Sequence, residues 1–282
     1  MYPDRKTAAR LGQETHRILV EGAYVAPSGA RVEIGDLVAR AKEQTRSIRF
    51  DAPLPPARRE RRPVGPRIEV TAESTLGAAR RLHEAYGEAM ALVFASARHP
   101  GGGFLSGARA QEESLARSSA LFACLEGDAL YAHHEQLRDP MYTDWILHAP
   151  EVPVLRDAEG ALLEQPWPCT FLTCAAVNAK VVLERDGTRR GEIEGIMRRR
   201  VGRVLDVAES QGDRHLVLGA WGCGVFGNEP ASIAALFSEA LAARRGAFDH
   251  VVFAILDASE EQRFRGPFVD AFGHPSLSGS GS

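Results

Sequence analysis

The chain reads as an α/β fold: a mixed β-sheet sandwiched between helices, preceded by an N-terminal helical extension. Three observations carry this reading. From residue 66 onward, short aliphatic runs alternate with segments of helical periodicity. The runs AMALVFAS (89–96) and CTFLTCAAV (169–177) are apolar throughout, as strands covered on both faces require. Both glycine-rich stretches, HPGGGF and GCGVFG, follow a strand and precede a helix, where open α/β sheets bind their ligands.

The elements follow in order. Residues 4–21 predict a helix with Ala8, Leu11, Ile18 and Leu19 on one stripe, and 36–46 a second. The proline-dense stretch DAPLPPARRERRPVGP (51–66) forbids a regular helix or a central strand. It divides the chain into an N-terminal helical extension and Pro-rich arm (1–65) and a main domain (66–275). A Ser/Gly-rich tail, SLSGSGS (276–282), reads as flexible. Within the main domain, strands are expected at 68–71, 89–96, 144–156 (a pair or one broken strand), 169–177, 215–221 and 249–257. Helices are expected at 74–86, 110–126, 189–209 and from Pro230 to Arg245.

Composition narrows the function classes. The 282 residues carry a net charge of −3, with 44% hydrophobic and 25% charged residues, so no bulk positive field advertises a nucleic-acid surface. The basic runs ARRERR (57–62) and MRRRVGR (197–203) read as solvated faces. Cys124, Cys169, Cys174 and Cys223 lack Cys-x-x-Cys spacing or a histidine in zinc register, so no metal is expected. The polar start MYPDRKTAARLGQET has no signal-peptide core, and no apolar run reaches membrane-spanning length. A reduced, cytoplasmic protein without membrane contact is the expectation.

Chemistry concentrates in the two glycine loops. Gly222-Cys-Gly-Val-Phe-Gly227 matches G-x-G-x-x-G, but the acidic residue a dinucleotide fingerprint places after the next strand is missing. Asp249 precedes that strand and Asp257 falls too late. The loop still suits a diphosphate, because glycines expose N–H groups and a helix started by Asn228 or Glu229 before Pro230 adds partial positive charge. A tight turn whose glycines serve only positive φ is the alternative. Gly101-Gly102-Gly103 is costlier than a turn needs and points to close approach by something large, with Phe104 and Leu105 as anchors. Seven residues later come Gln111-Glu112-Glu113. Neighbours on a helix point roughly 100° apart, so the two acids are expected to hold separate jobs. Acid enrichment at a helix start through the helix dipole is the plainer reading.

The triple glycine, its short spacer and QEE together resemble the signature of the poly(ADP-ribose) glycohydrolases. The wider run PGGGFLSGARAQEESLARSSAL is similar to the shorter, bacterial-type members, GCGVFGN (222–228) to their diphosphate-binding loop, and DHVVFAILD to their last strand. The resemblance implies a macrodomain fold that binds ADP-ribose over the strand ends and needs no cofactor. It implies that Glu113 is the general acid/base, that Glu112 holds ribose hydroxyls, and that Gln111 fixes the catalytic loop carrying Gly101, Gly102 and Gly103. Gly222, Gly224, Val225 and Gly227 would cradle the diphosphate, and Phe226 would press the terminal ribose toward Glu113. The implied activity is hydrolysis of ribose–ribose O-glycosidic bonds from chain ends, releasing ADP-ribose in the reversal of ADP-ribosylation, as in a DNA damage response. Poly(ADP-ribose), ADP-ribose and ADP-ribosylated proteins would be its partners. Where family members often carry Asn before the glycines this chain has Val93, and their TAAAPN-like run is TCAAVN, ending in Asn178. The alternative is an ADP-ribose-binding macrodomain that cleaves nothing; such a reader needs the diphosphate loop but not Glu112 and Glu113. A hydrolase acting on ADP-ribose attached directly to protein or nucleic acid is a third reading.

Other chemically suggestive residues take plainer readings. His133 and His134 fall in an exposed-looking helix, His148 near a strand end, and Cys223 is small enough for its loop. Trp145, Trp167 and Trp221 read as packing, and Phe264 and Phe268 either flank an adenine or pack on the sheet.

Overall fold

The structure is a computed structural model and describes residues 3–273. Helix α1 (Arg5–Glu21) starts at Asp4, whose carboxylate accepts from the N–H groups of Lys6 and Thr7, and stops at Gly22 in the left-handed region. A hairpin of β1 (Ala23–Val25) and β2 (Arg31–Glu33) follows, then α2 (Gly35–Gln44) and β3 (Arg46–Ile48). Past the proline-dense stretch come β4 (Arg67–Thr71), α3 (Thr75–Tyr86), β5 (Met90–Phe94), α4 (Gln111–Ser118), α5 (Leu121–Leu125) and α6 (Ala129–Leu137). Two long strands, β6 (Ile146–Arg156) and β7 (Leu162–Cys174), precede α7 (Ala179–Arg185) and α8 (Arg190–Gln211). The order closes with β8 (His215–Leu218), α9 (Pro230–Ala242), β9 (His250–Ala254) and α10 (Gly266–Phe272).

The main sheet has the order β3-β6-β7-β5-β8-β9-β4. From β7 to β4 the strands run parallel; β6 and β3 add antiparallel on one edge. Along β5, Ala91 and Val93 pack into the layer of α1 to α6, while Met90 and Leu92 pack into the layer of α7 to α10. That two-sided burial is why the strand is apolar throughout. The mixed sheet between helices agrees with the sequence reading.

Several details differ. The helix expected at 110–126 breaks at Ser119, which is extended and forms a bridge with Val154. Its hydroxyl donates to Leu115 O and accepts from Leu121 N, the local competition by which serine ends helices. Of the two readings of 144–156, the single interrupted strand is the one formed, with a bulge after Ala149. Strand β3 lies before the proline-dense stretch yet pairs with β6 from Arg46↔His148 to Ile48↔Ile146, so the composition change near residue 66 is not an edge of the sheet. The tail reading at 276–282 falls outside the described residues. His134, expected to be exposed, is 1% exposed. All four cysteines are free and buried, and Trp145, Trp167 and Trp221 are core residues. No helix among the described residues is long and apolar enough to cross a membrane.

Candidate active site

Adjacent parallel strands β5 and β8 end in the two glycine loops, and a cleft of about 360 Å³ opens between them. Gln111, Glu112 and Glu113 line one wall; Gly222, Gly224, Val225 and Phe226 line the other. Gly101, Gly102 and Gly103 lie directly behind the acids.

Gln111 fixes the start of α4. Its Oε1 accepts from Phe94 N at 2.9 Å and its Nε2 donates to Leu92 O at 2.8 Å, so the side chain pairs with the last residues of β5 beyond the point where β8 stops. From that anchor both acids reach the loop after β5. Glu112 Oε2 accepts from Ser96 N at 2.6 Å, and Glu113 Oε1 accepts from Gly103 N at 3.1 Å. Their other oxygens, Glu112 Oε1 and Glu113 Oε2, are buried and have no partner among the described residues. Burial pushes the Glu112 carboxyl well above the usual carboxylate range; the Ser96 N–H opposes this, and the adjacent Glu113 adds to it.

The triple glycine is explained mostly by the chain itself. Gly101 and Gly102 have φ of 68° and 59°. A Cβ on Gly102 would lie 2.8 Å from Glu113 Cδ and 3.2 Å from Glu112 Oε2, and one on Gly101 would meet the Phe104 ring at 3.1 Å. The large thing approaching these glycines is therefore the acid pair and Phe104. Of the two expected anchors only Phe104 is buried; Leu105 is 38% exposed, because the 3-10 turn Phe104–Ser106 carries it outward.

The second loop divides its glycines differently. Gly222 (φ 73°) is required by Ala176 and Asn228, and Gly227 (φ 69°) by Lys180. Gly224 has nothing within 4 Å of where a Cβ would stand, so the fold does not demand it. The N–H groups of Gly224, Val225 and Phe226 donate to nothing among the described residues, whereas those of Cys223, Gly227 and Asn228 are used within the loop. Asn228 is a brace rather than a helix cap: its Nδ2 donates to Val177 O at 2.7 Å and Gly222 O at 3.1 Å, while Glu229 stands at the N-cap position of α9 without a side-chain capping bond. Val225, 80% exposed, has only its backbone to offer the cleft floor. The Phe226 ring is backed by Tyr142 at 6.2 Å.

Val93 is fully buried and pairs in register with Thr173, so it makes no ligand contact from this position. Asn178 caps α7, accepting from Val181 N at 3.2 Å. Phe264 borders the cleft, but Phe268 is a core residue. Phe264 is held there by Asp257, which accepts from the N–H groups of Phe264 and Arg265. Burial raises the Asp257 carboxyl, but the hydroxyl and N–H donors of Ser259, Arg265 and Phe264 prevail and hold it at about 2. Glu73 and Thr75 also line the cleft. Sequence reasoning passed them over, although they follow β4 at the same end of the sheet as the glycine loops.

Fold and site define an α/β protein with a ligand cleft over its strand ends, donors for an anion on one wall and buried acids on the other. The model of the microbial-type PARG catalytic domain matches residues 12–157. The crystal structure of poly(ADP-ribose) glycohydrolase from Thermomonospora curvata is 45% identical, with a TM-score of 0.88 over 95% of this chain and 100% of that one. The same organism's enzyme bound to the inhibitor ADP-HPD is 44% identical, with a TM-score of 0.85 over 95% and 100% of the two chains. The glycohydrolase from Deinococcus radiodurans in complex with ADP-ribose is 40% identical, with a TM-score of 0.78 over 85% and 98%. No curated protein matches the chain. The chain belongs to the microbial-type poly(ADP-ribose) glycohydrolases.

Proposed function

We propose that the protein trims poly(ADP-ribose) from its chain ends, with Glu113 as general acid and then general base. Two of the related structures hold ADP-HPD and ADP-ribose, and the same chemistry suits this cleft. The unpaired N–H groups of Gly224, Val225 and Phe226 face a diphosphate at the N-terminal end of α9. Phe226 packs on the terminal ribose and turns it toward α4. Glu112 holds a ribose hydroxyl through Oε1, the oxygen left over from its bond to Ser96.

The glycosidic bond breaks through an oxocarbenium-like state. Glu113 protonates the leaving oxygen, and its carboxylate then takes a proton from the attacking water. The fixed grip on diphosphate and ribose holds the bond near attack geometry.

One observation carries the catalytic reading over the reader: Glu112 Oε1 and Glu113 Oε2 are both buried without partners at the cleft wall. Burying unpaired carboxylate oxygens costs stability; a ribose hydroxyl offsets that cost at Glu112, but ADP-ribose binding alone gives no return for Glu113 Oε2. A cytoplasmic setting fits the four free cysteines.

The test is release of ADP-ribose from protein-linked poly(ADP-ribose), with Glu113→Gln beside the wild type. Wild-type release, a variant slower by about 10²–10⁴-fold, and ADP-ribose binding by both are expected. Binding by both with release by neither makes the protein a reader.

A further inference from the structure

His134, on α6 and 1% exposed, lies between the two halves of the site without lining the cleft. Its Nδ1 is 3.1 Å from Ala97 O, and its Nε2 is 3.1 Å from Thr143 N and 2.7 Å from Thr143 Oγ1. A carbonyl can only accept and a backbone N–H can only donate. The imidazole is therefore neutral, with its proton on Nδ1. Burial, opposed by the bond to Ala97, holds its pKa down at about 4, which keeps that tautomer through the neutral range.

The two partners lead to different walls. Ala97 follows Ser96, whose N–H holds Glu112, and leads into the glycines that hold Glu113. Thr143 follows Tyr142, an aromatic residue at φ 54° whose ring packs on His134 at 5.5 Å and on Phe226 at 6.2 Å. A left-handed aromatic residue is strained and persists only where its surroundings fix it. The Tyr142 segment is joined to the Phe226 side again by the bond from Asn178 N to Pro140 O, while Lys180 N donates to Phe226 O.

We propose that His134 is a positioning residue for hydrolysis, pinning the acid loop at Ala97 to the Tyr142 segment at Thr143 and so fixing Phe226 relative to Glu113. This rests on the glycohydrolase reading of the cleft. His134 touches no substrate and acts through Tyr142 and Phe226. Gly224 and Val225 donate from outside this linkage, and of Phe226 it holds the ring rather than the N–H, so loosening it degrades the reactive geometry more than it degrades binding.

Two variants test it. His134→Asn keeps an amide near the Nδ1 position for Ala97 and loses the reach to Thr143. Tyr142→Gly removes the ring at a backbone conformation glycine adopts freely, so it keeps the test available if the buried histidine variant fails to fold. The expected result is a kcat lower by about tenfold or more, with KM and the ADP-ribose Kd within about twofold of wild type. Combined with Phe226→Ala, neither variant should lower kcat further, since all three act through one contact. A kcat within twofold of wild type, a loss that appears in Kd instead, or losses that multiply with that of Phe226→Ala would each overturn the proposal. Failure of the glycohydrolase reading is distinguishable, because wild type would then also be silent.

Discussion

Gly102 and Glu113 occupy each other's space: the carboxylate of Glu113 stands where a side chain on Gly102 would begin. Eleven residues apart in sequence, they are held together by the bond from the neighbouring Gly103 N to Glu113 Oε1. Gly102→Ala must move either the loop or the acid. The left-handed backbone adds about 1–2 kcal/mol for any residue with a Cβ. A lower Tm and a kcat reduced on the order of 100-fold are expected; thermal unfolding and ADP-ribose release measure the two. Unchanged kcat would mean that the acid tolerates displacement, against the role given to it.

Gly224 is the contrasting glycine. Its space is open and its φ is not positive, so Gly224→Ala should unfold at the wild-type temperature. A methyl group facing a bound diphosphate would push it off the N–H donors, each worth roughly 1.5–3 kcal/mol when the acceptor is charged. ADP-ribose affinity should fall about tenfold or more by calorimetry. Full affinity would show that the diphosphate lies elsewhere.

Glu112 gives a pH signature. Its folded-state pKa is raised by burial, so between the unfolded value near 4.3 and the higher folded value the native state binds more protons than the unfolded one. Stability contributed by this group is therefore lost as pH rises through that window. Glu112→Gln keeps an oxygen to accept from Ser96 N and has no charge to bury. It should be no more stable than wild type near pH 4, more stable at neutral pH, and poorer in catalysis. Tm measured across this range checks it, and an equal Tm offset at every pH would refute the assignment.

The N-terminal helix braces the loop that carries Phe104. A Cβ on Gly12 would overlap the Phe104 carbonyl oxygen and approach the Phe104 ring at 3.2 Å, while Arg5 Nε and Gln13 Nε2 donate to Ser106 O and Leu105 O. Gly12→Ala should cost about 1–3 kcal/mol, as overpacking does, and lower kcat. Gly195→Ala, in α8 with nothing within 4 Å, is the control. It should raise stability by up to about 1 kcal/mol. Denaturant titrations that place both variants on the same side of wild type would exclude the brace.

The parts of the site that were legible in sequence are those whose reasons lie within a few residues. The triple glycine, Gln111-Glu112-Glu113 and Gly222 to Gly227 announce themselves because a strand, a bare loop and a helix start follow each other directly along the chain. Even there, sequence attributed the triple glycine to an approaching ligand and left Gly222 to Gly227 open between a diphosphate and a tight turn. In the structure Gly101, Gly102, Gly222 and Gly227 answer to the chain's own atoms, and Gly224 alone of that loop's three glycines faces open space.

By itself, then, the sequence determined the alternating α/β order, the two loops at the strand ends and the family that their spacing resembles. Periodicity and backbone conformation are local properties, written where they act. The tertiary structure decided which distant segments support those loops. It brought α1 onto Phe104, added β3 to the far edge of the sheet, and buried His134 between Ala97 and Thr143. A polar residue on a short helix carries no local mark of burial, because burial is set by what packs over it. Here the segments at Ala97 and at Tyr142–Thr143 close over His134.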